Sequence, residues 1–234
     1  MLEIKKLLVK QGNFTLTADL SIEFGDKVAI VGPSGGAKST LLLTIAGFIE
    51  PVSGSIYLNR ERFDKKAPSE IPCTMLFQDN NLFPHLNVSE NVGLGLKPSL
   101  RLNLSERQLV MEALRKMNLE TKASSQVSQL SGGQISRVAI ARSLLQKKPL
   151  LLLDEPFAAL GPAQRLKMIN HVAAFQRSYN SILLMVTHNP HEAKLIANKV
   201  IFIEEGSVSK PQEIKSFFEE PAVNVQRYLG QGFI

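Results

Sequence analysis

Cysteine is almost absent: Cys73 is the only one in 234 residues. That excludes an internal disulfide and offers no thiolate cluster for a metal. Long apolar runs are missing too. The longest, Leu41–Ile49 and Leu150–Leu153, are core-sized, well short of the ~20 residues of a membrane span. The opening "MLEIKKLLVKQG" lacks the roughly 7–15-residue apolar stretch of a signal peptide. The expectation is a chain that stays in the cytosol. There is no internal repeat and no low-complexity tract. The net charge of +6 favours an anionic partner. With no basic block and no aromatic-basic stripe, nucleic acid is not expected to be that partner. What remains is a globular composition, 44% apolar and 21% charged, long enough for one large domain with an inserted subdomain.

Periodicity gives the elements. In "NFTLTADLSIEF" the residues Phe14, Leu16, Ala18, Leu20, Ile22 and Phe24 alternate with mostly polar partners, the period of a half-buried strand or hairpin. After a turn at Gly25-Asp26, "KVAIV" (Lys27 to Val31) reads as a buried strand. A glycine-rich loop follows, then a helix ending near Gly47. Residues 50–72 read as turns, with Pro51, Gly54, Pro68 and Pro72. Thr74 to Phe77 is another strand. From Asn87 to Gln129 the texture is helical, with a capping box expected at Ser105 and Gln108. Leu109, Val110, Ala113, Leu114 and Met117 line one face behind it, and 118–129 is a polar loop. In "ISRVAIARSLLQ" the residues Ile135, Val138, Ala141 and Leu145 share a helical face. Leu150–Leu153, Ile182–Val186 and Val200–Ile203 are further buried strands. Strands alternating with helices predict an α/β fold with a mainly parallel sheet covered on both faces. The tail from Gly206 leaves no room for another domain.

The loop between strand and helix is "GPSGGAKST": Gly32, Pro33, Ser34, Gly35, Gly36, Ala37, Lys38, Ser39 and Thr40. Glycine-loop N–H groups, a helix start and one lysine can surround a triphosphate without bulky side chains. Lys38 would reach the β- and γ-phosphates, Ser39 would hold Mg²⁺, and the Thr40 backbone would touch the α-phosphate. The pattern G-x-x-x-x-G-K-[ST] wants glycine where Ala37 stands. That position usually needs a left-handed backbone, which costs alanine roughly 1–2 kcal/mol. If the loop keeps its shape, the loss is about 5- to 30-fold in nucleotide affinity. If it bends and moves Lys38 by an ångström, the loss is ~100-fold in rate. Gly36 cannot substitute by sliding, because Lys38 and Ser39 fix the register.

Gly32, Gln78, Asp154, Glu155 and His188 each follow an apolar strand. In a parallel sheet they meet at one edge, where ligands bind. Asp154 suits a second contact to magnesium, and Glu155 can accept a proton from attacking water. The same acidic pair, with Pro156 behind it, could instead cap a helix. His188 can hydrogen-bond a γ-phosphate or be structural. "HNPHE" brings His191 and Glu192 near it, but Pro190 should start a helix and separate the two histidines. Leu130, Ser131, Gly132, Gly133 and Gln134 ("LSGGQ") read as a helix start with Ser131 as N-cap, a second anion site. Two such sites in one chain invite a dimer that shares its nucleotides.

Together these motifs resemble the ATP-binding cassette of ABC transporters over nearly the whole chain. The resemblance implies a P-loop NTPase (RecA-like) core with an N-terminal antiparallel β part and an inserted helical subdomain. It implies a nucleotide-binding core in 1–85 and 136–205, a helical subdomain in 86–135 and a short tail in 206–234. It implies ATP and Mg²⁺ as cofactors and a head-to-tail homodimer, each ATP held by one copy's phosphate loop and the other's "LSGGQ". Glu155 then matches the catalytic base, His188 the switch histidine, and Gln78 the residue linking Mg²⁺ and water to the membrane partner. The helical subdomain would dock on a transmembrane permease at the cytoplasmic face of the inner membrane, with an external solute-binding protein as indirect partner. Met75 to Asn103 is similar to the ATP-binding subunits of bacterial thiamine importers, so thiamine is the expected solute. Three positions depart from the family: Ala37, Gly161 where aspartate is usual, and Gln11 where an adenine-stacking aromatic is expected, with Phe14 nearby. The departures at Ala37 and Gly161 leave open a degenerate cassette that binds nucleotide weakly and acts as a structural or regulatory subunit. A soluble cassette acting on DNA or the ribosome would carry a second cassette or a coiled-coil insertion, and this chain has neither.

Overall fold

The computed structural model describes residues 1–230. Eleven strands form one sheet. Leu2–Gln11 (β1) and Phe14–Ile22 (β2) make an antiparallel hairpin. In β2 the residues Leu16, Ala18, Leu20 and Ile22 are buried and their neighbours exposed, as the alternation predicts. Ser53–Leu58 (β4) pairs with β1, and Glu61–Arg62 (β5) extends that edge. These two strands lie in the stretch read as turns. Their signal is short, because only Ile56 and Leu58 are buried, and Gly54 sits at a positive φ where a Cβ would meet the Leu7 backbone at 2.6 Å. Backbone proximity, invisible in a linear pattern, is what holds this strand.

The second half of the sheet is parallel. Lys27–Val31 (β3), Cys73–Leu76 (β6), Leu150–Asp154 (β7), Ile182–Val186 (β8) and Lys199–Glu204 (β9) lie in the order β9-β3-β8-β7-β6. All residues of β7 and β8 are buried, which is why they read as unbroken apolar runs. Ser207–Val208 (β10) joins the halves, antiparallel to β9 and bridged to β2. Gln212–Glu213 (β11) pairs with β9.

Helices cover both faces. Lys38–Ile45 (α1) follows β3, and the chain turns away from it at Gly47, which has φ +79°. Val88–Gly93 (α2), Leu104–Lys116 (α3) and Gly132–Leu145 (α4) pack together around Val88, Val92, Val110, Leu114 and Val138. The α3 capping box sits two residues earlier than expected. Asn103 Oδ1 accepts the Glu106 N–H at 2.9 Å and Glu106 accepts the Asn103 N–H at 2.9 Å. Ser105 only supports it, donating to Asn103 Oδ1. Asparagine and serine both cap well, and the apolar face of Val110, Leu114 and Met117 suits the earlier start. Leu109 from the same expected face is exposed.

Pro162–Tyr179 (α5) lies between β7 and β8, and Pro190–Ile196 (α6) follows β8. The tail is ordered into β10, β11, Ile214–Glu219 (α7) and Val223–Leu229 (α8). Phe217, Phe218, Val225 and Leu229 pack on Val31, Val200 and Phe202, the outer face of β3 and β9.

Candidate functional site

The five parallel strands end at one edge, and there a cavity of about 340 Å³ opens. Ser34 to Thr40 form one wall; Gln78, Glu155, Val186 and His188 form the other. Of the five residues expected at that edge, Gln78, Glu155 and His188 line the cavity, while Gly32 and Asp154 do not.

Gly32 starts the loop with φ +148°, and a Cβ there would lie 2.0 Å from the Ile203 carbonyl. Only glycine fits that approach. Ala37 is the N-cap of α1, at φ 66° and ψ 26°, in the left-handed region. It takes the conformation that glycine would take, and its methyl packs against the main core cluster. Gly36 is not at positive φ; its N–H donates to the Pro33 carbonyl at 3.1 Å. The spare glycine does not replace the missing one. Lys38 is buried, with Nζ donating to the carbonyls of Gly32 (2.9 Å) and Pro33 (2.7 Å). Burial pushes its pKa down, against the pull of Glu155 and Asp154. No side chain caps the first turn of α1 and no acidic residue lies in it, the condition in which the N–H groups of a helix start can receive an anion.

Asp154 ends β7 and is buried. Burial raises its pKa; the Ser39 hydroxyl facing it lowers it, and neighbouring Glu155 raises it further. Its Oδ1 has no hydrogen-bond partner. A buried carboxylate oxygen without a partner, beside a serine hydroxyl, is an oxygen donor set that fits a hard divalent cation. Glu155 follows in a left-handed backbone, φ 48°, and Pro156 begins turns rather than a helix, since α5 starts only at Pro162. The helix-cap reading of the acidic pair therefore gives way. His188 Nε2 lies 2.7 Å from Glu155 Oε1. Pro190 does start a helix. Among the described residues no group of histidine, cysteine and carboxylate side chains is arranged to hold a metal.

Ser131 caps α4: Gln134 accepts the Ser131 N–H at 2.8 Å, and the Gln134 N–H lies 3.4 Å from Ser131 Oγ. Ser131 and Gly132 are exposed, and residues 130–134 do not line the chain's own cavity. Instead Gly133 lies against the loop before α5, where a Cβ would stand 3.3 Å from the Ala159 carbonyl. Gly161 ends that loop as the N-cap of α5, without a side-chain cap and with open space around it. Gln11 is exposed at the hairpin end, while Phe14 is half-buried beside Gly206. The sequence reading missed Tyr228, whose oxygen meets the Gly32 backbone while its ring packs on Phe202. It also missed Arg165, Thr187 and Glu192, which line a neighbouring cavity of about 320 Å³ beside Glu155 and His188. A lone arginine on a helix carries no linear signal of its partner.

The family model for the ABC transporter matches residues 16–158. The thiamine import ATP-binding protein ThiQ of Cereibacter sphaeroides is 44% identical over 98% of this chain and 100% of its own length. ThiQ of Aliivibrio fischeri is 47% identical over 90% of this chain and 91% of its own. Among solved structures, the ATP-binding cassette MJ0796, a dimer in a post-hydrolysis state with ADP and Pi, superposes with a TM-score of 0.82 at 29% identity. It covers 92% of this chain and 99% of that one. With the phosphate loop, the converging strand ends and the exposed "LSGGQ" helix start already in place, these likenesses give one answer: the chain belongs to the ABC transporter family.

Proposed function

We propose that this chain is the ATP-hydrolysing subunit of a thiamine importer. The observation that carries it is the pair Glu155–His188, 2.7 Å apart, on the wall facing a phosphate loop in the same cavity. The names of the ThiQ relatives support the solute.

The reaction is in-line displacement at the γ-phosphorus. The first turn of α1 and the Gly35–Thr40 backbone receive the phosphates, and Lys38 exchanges its carbonyl partners for phosphate oxygens. Mg²⁺ at this site would supply positive charge that offsets the charge building on the leaving group. Ser39, Asp154 and Gln78 are the residues that would hold it. Glu155 takes the proton of the attacking water while the new P–O bond forms and the β–γ bridging bond breaks, releasing ADP and phosphate. His188 holds the Glu155 carboxylate in place through Nε2.

A second copy completes the site. The "LSGGQ" helix start is exposed and does not line its own phosphate cavity, and a head-to-tail homodimer would place it over the partner's γ-phosphate. The helical subdomain, 86–135, with the exposed ring of Phe83 at its border, held to Asn91 by the Phe83 backbone, is the docking face for a transmembrane permease. An external solute-binding protein acts through that permease. The chain sits peripherally on the cytoplasmic face of the inner membrane. Among the described residues no helix is long and apolar enough to cross a membrane. The degenerate-cassette alternative gains no support from the geometry: Ala37 keeps the left-handed backbone, and Gly161 lies outside the phosphate cavity.

The test is uptake of labelled thiamine by cells lacking this chain. Wild type restores uptake and Glu155→Gln does not. Uptake of another solute with no effect on thiamine would overturn the substrate reading.

A further inference from the structure

Two loops carry the reacting side chains, and they belong to different strands. Glu155 opens the loop after β7; His188 lies in the loop after β8. Arg165, in the first turn of α5, touches both. Its Nη2 donates to the Leu160 carbonyl at 3.0 Å, in the first loop. Its Nε stands 3.1 Å from Glu192 Oε1, in α6 behind the second. That Nε is buried and not aligned as a hydrogen-bond donor, so the contact is charge against charge.

Glu192 is buried, and its Oε2 accepts the Thr187 hydroxyl at 2.5 Å. Thr187 Oγ1 in turn accepts the Asn189 N–H at 3.1 Å. His188 is the residue between these two anchored neighbours. At the other end, Leu160 follows Ala159, and both border the space at Gly133. Contacts thus run from Leu160 through Arg165 and Glu192 to Thr187, the residue before His188, whose ring meets Glu155.

A buried ion pair is weak support for stability, because apolar residues of the same size often serve as well. Here the pair joins α5 to α6, with Glu192 buried and Arg165 partly exposed, beside an open cavity of about 320 Å³. We infer that Arg165 and Glu192 are positioning residues that set His188 against Glu155 and tie that geometry to the loop under the "LSGGQ" helix start. Neither lines the phosphate cavity, so neither touches substrate. The inference rests on the ATPase reading for its kinetic consequence but not for its structural one.

The experiment uses the full chain, as wild type and as Arg165→Gln, Arg165→Lys and Glu192→Gln. ATP hydrolysis is measured alongside the imidazole carbon–proton NMR signal of His188. The chain has four histidines, so the signal is identified by its loss in His188→Asn. The expected result for Arg165→Gln is a kcat lower by about 10- to 100-fold, the scale of an ångström misplacement. KM for ATP stays within about two-fold, since phosphate contacts are untouched. Arg165→Lys, which keeps the charge, recovers part of the rate. The His188 signal moves by more than its linewidth in Arg165→Gln. If Arg165→Gln does not fold, Glu192→Gln is read by the same criteria, because it removes the charge and keeps an acceptor for Thr187. A wild-type kcat, or an unmoved His188 signal whatever the rate, overturns the inference. If wild type hydrolyses no ATP, the ATPase reading fails, and the His188 signal alone decides: displaced supports the positioning role, unmoved refutes it.

Discussion

Ala37→Gly is the perturbation whose size the structure fixes best. Alanine at φ 66° and ψ 26° carries about 1–2 kcal/mol of left-handed strain. Glycine removes that strain but adds about 0.5–1 kcal/mol of unfolded-chain entropy. It also deletes a methyl that packs, partly buried, on the core, a fraction of the ~0.8 kcal/mol of a fully buried methylene. Stability should therefore rise by no more than about 1 kcal/mol, or roughly 2–4 °C in Tm for a chain of this size. Strain released only on nucleotide binding would show instead as tighter ATP, by at most about 30-fold. The ~100-fold rate loss expected of a bent loop does not apply, because Ala37 keeps the left-handed backbone the loop requires. The assay is calorimetric Tm together with ATP affinity and kcat, for wild type, Ala37→Gly and Ala37→Val. Valine at positive φ is a true outlier, so that variant should lose nucleotide affinity by about tenfold or more. A glycine variant that binds ATP more weakly than wild type, or a valine variant that binds equally well, would refute the strain argument.

Other consequences follow from the same geometry. Glu155→Gln should lower ATP hydrolysis by about 10²- to 10⁴-fold with ATP binding retained, measured by steady-state turnover and equilibrium dialysis. Asp154 has a raised pKa in the folded chain because burial disfavours its charge. The folded state thus holds that proton more tightly than the unfolded state, and this group's contribution falls as pH rises from the unfolded to the folded pKa. Asp154→Asn should accordingly raise Tm at pH 7 without Mg²⁺, flatten the acid-side slope, and raise the Mg²⁺ concentration needed for turnover. An unchanged Mg²⁺ requirement would remove Asp154 from the metal set. Gly161→Asp supplies the side-chain cap that α5 lacks. It should add from a few tenths to about 1 kcal/mol in thermal unfolding and leave ATP affinity unchanged.

The parts legible in the sequence were those whose physics is local. The alternation in β2 survives because one face of the hairpin is buried. The apolar runs of β7 and β8 survive because both faces are. The need for a left-handed backbone at Ala37 followed from the loop pattern alone, and the structure has it. Parallel pairing then put Gln78, Glu155 and His188 at one edge. What stayed hidden depends on distant partners. β4 is held by β1 across some fifty positions. Phe217 and Phe218 pack on β3 and β9, so a segment that reads as a short tail is ordered. Asn103 competes with Ser105 as a cap, and only the packing of Val110 and Leu114 decides between them. Arg165 meets Glu192 across 27 positions, a spacing no helix or strand period encodes.

The proposed ATPase activity turns on Glu155 acting as a base beside an intact phosphate loop. The measurement that tests this most directly is ATP hydrolysis by the purified wild-type chain with Glu155→Gln beside it. The expected result is turnover by wild type and its loss in the variant with nucleotide still bound. A wild type without activity, or a rate indifferent to Glu155, would contradict it.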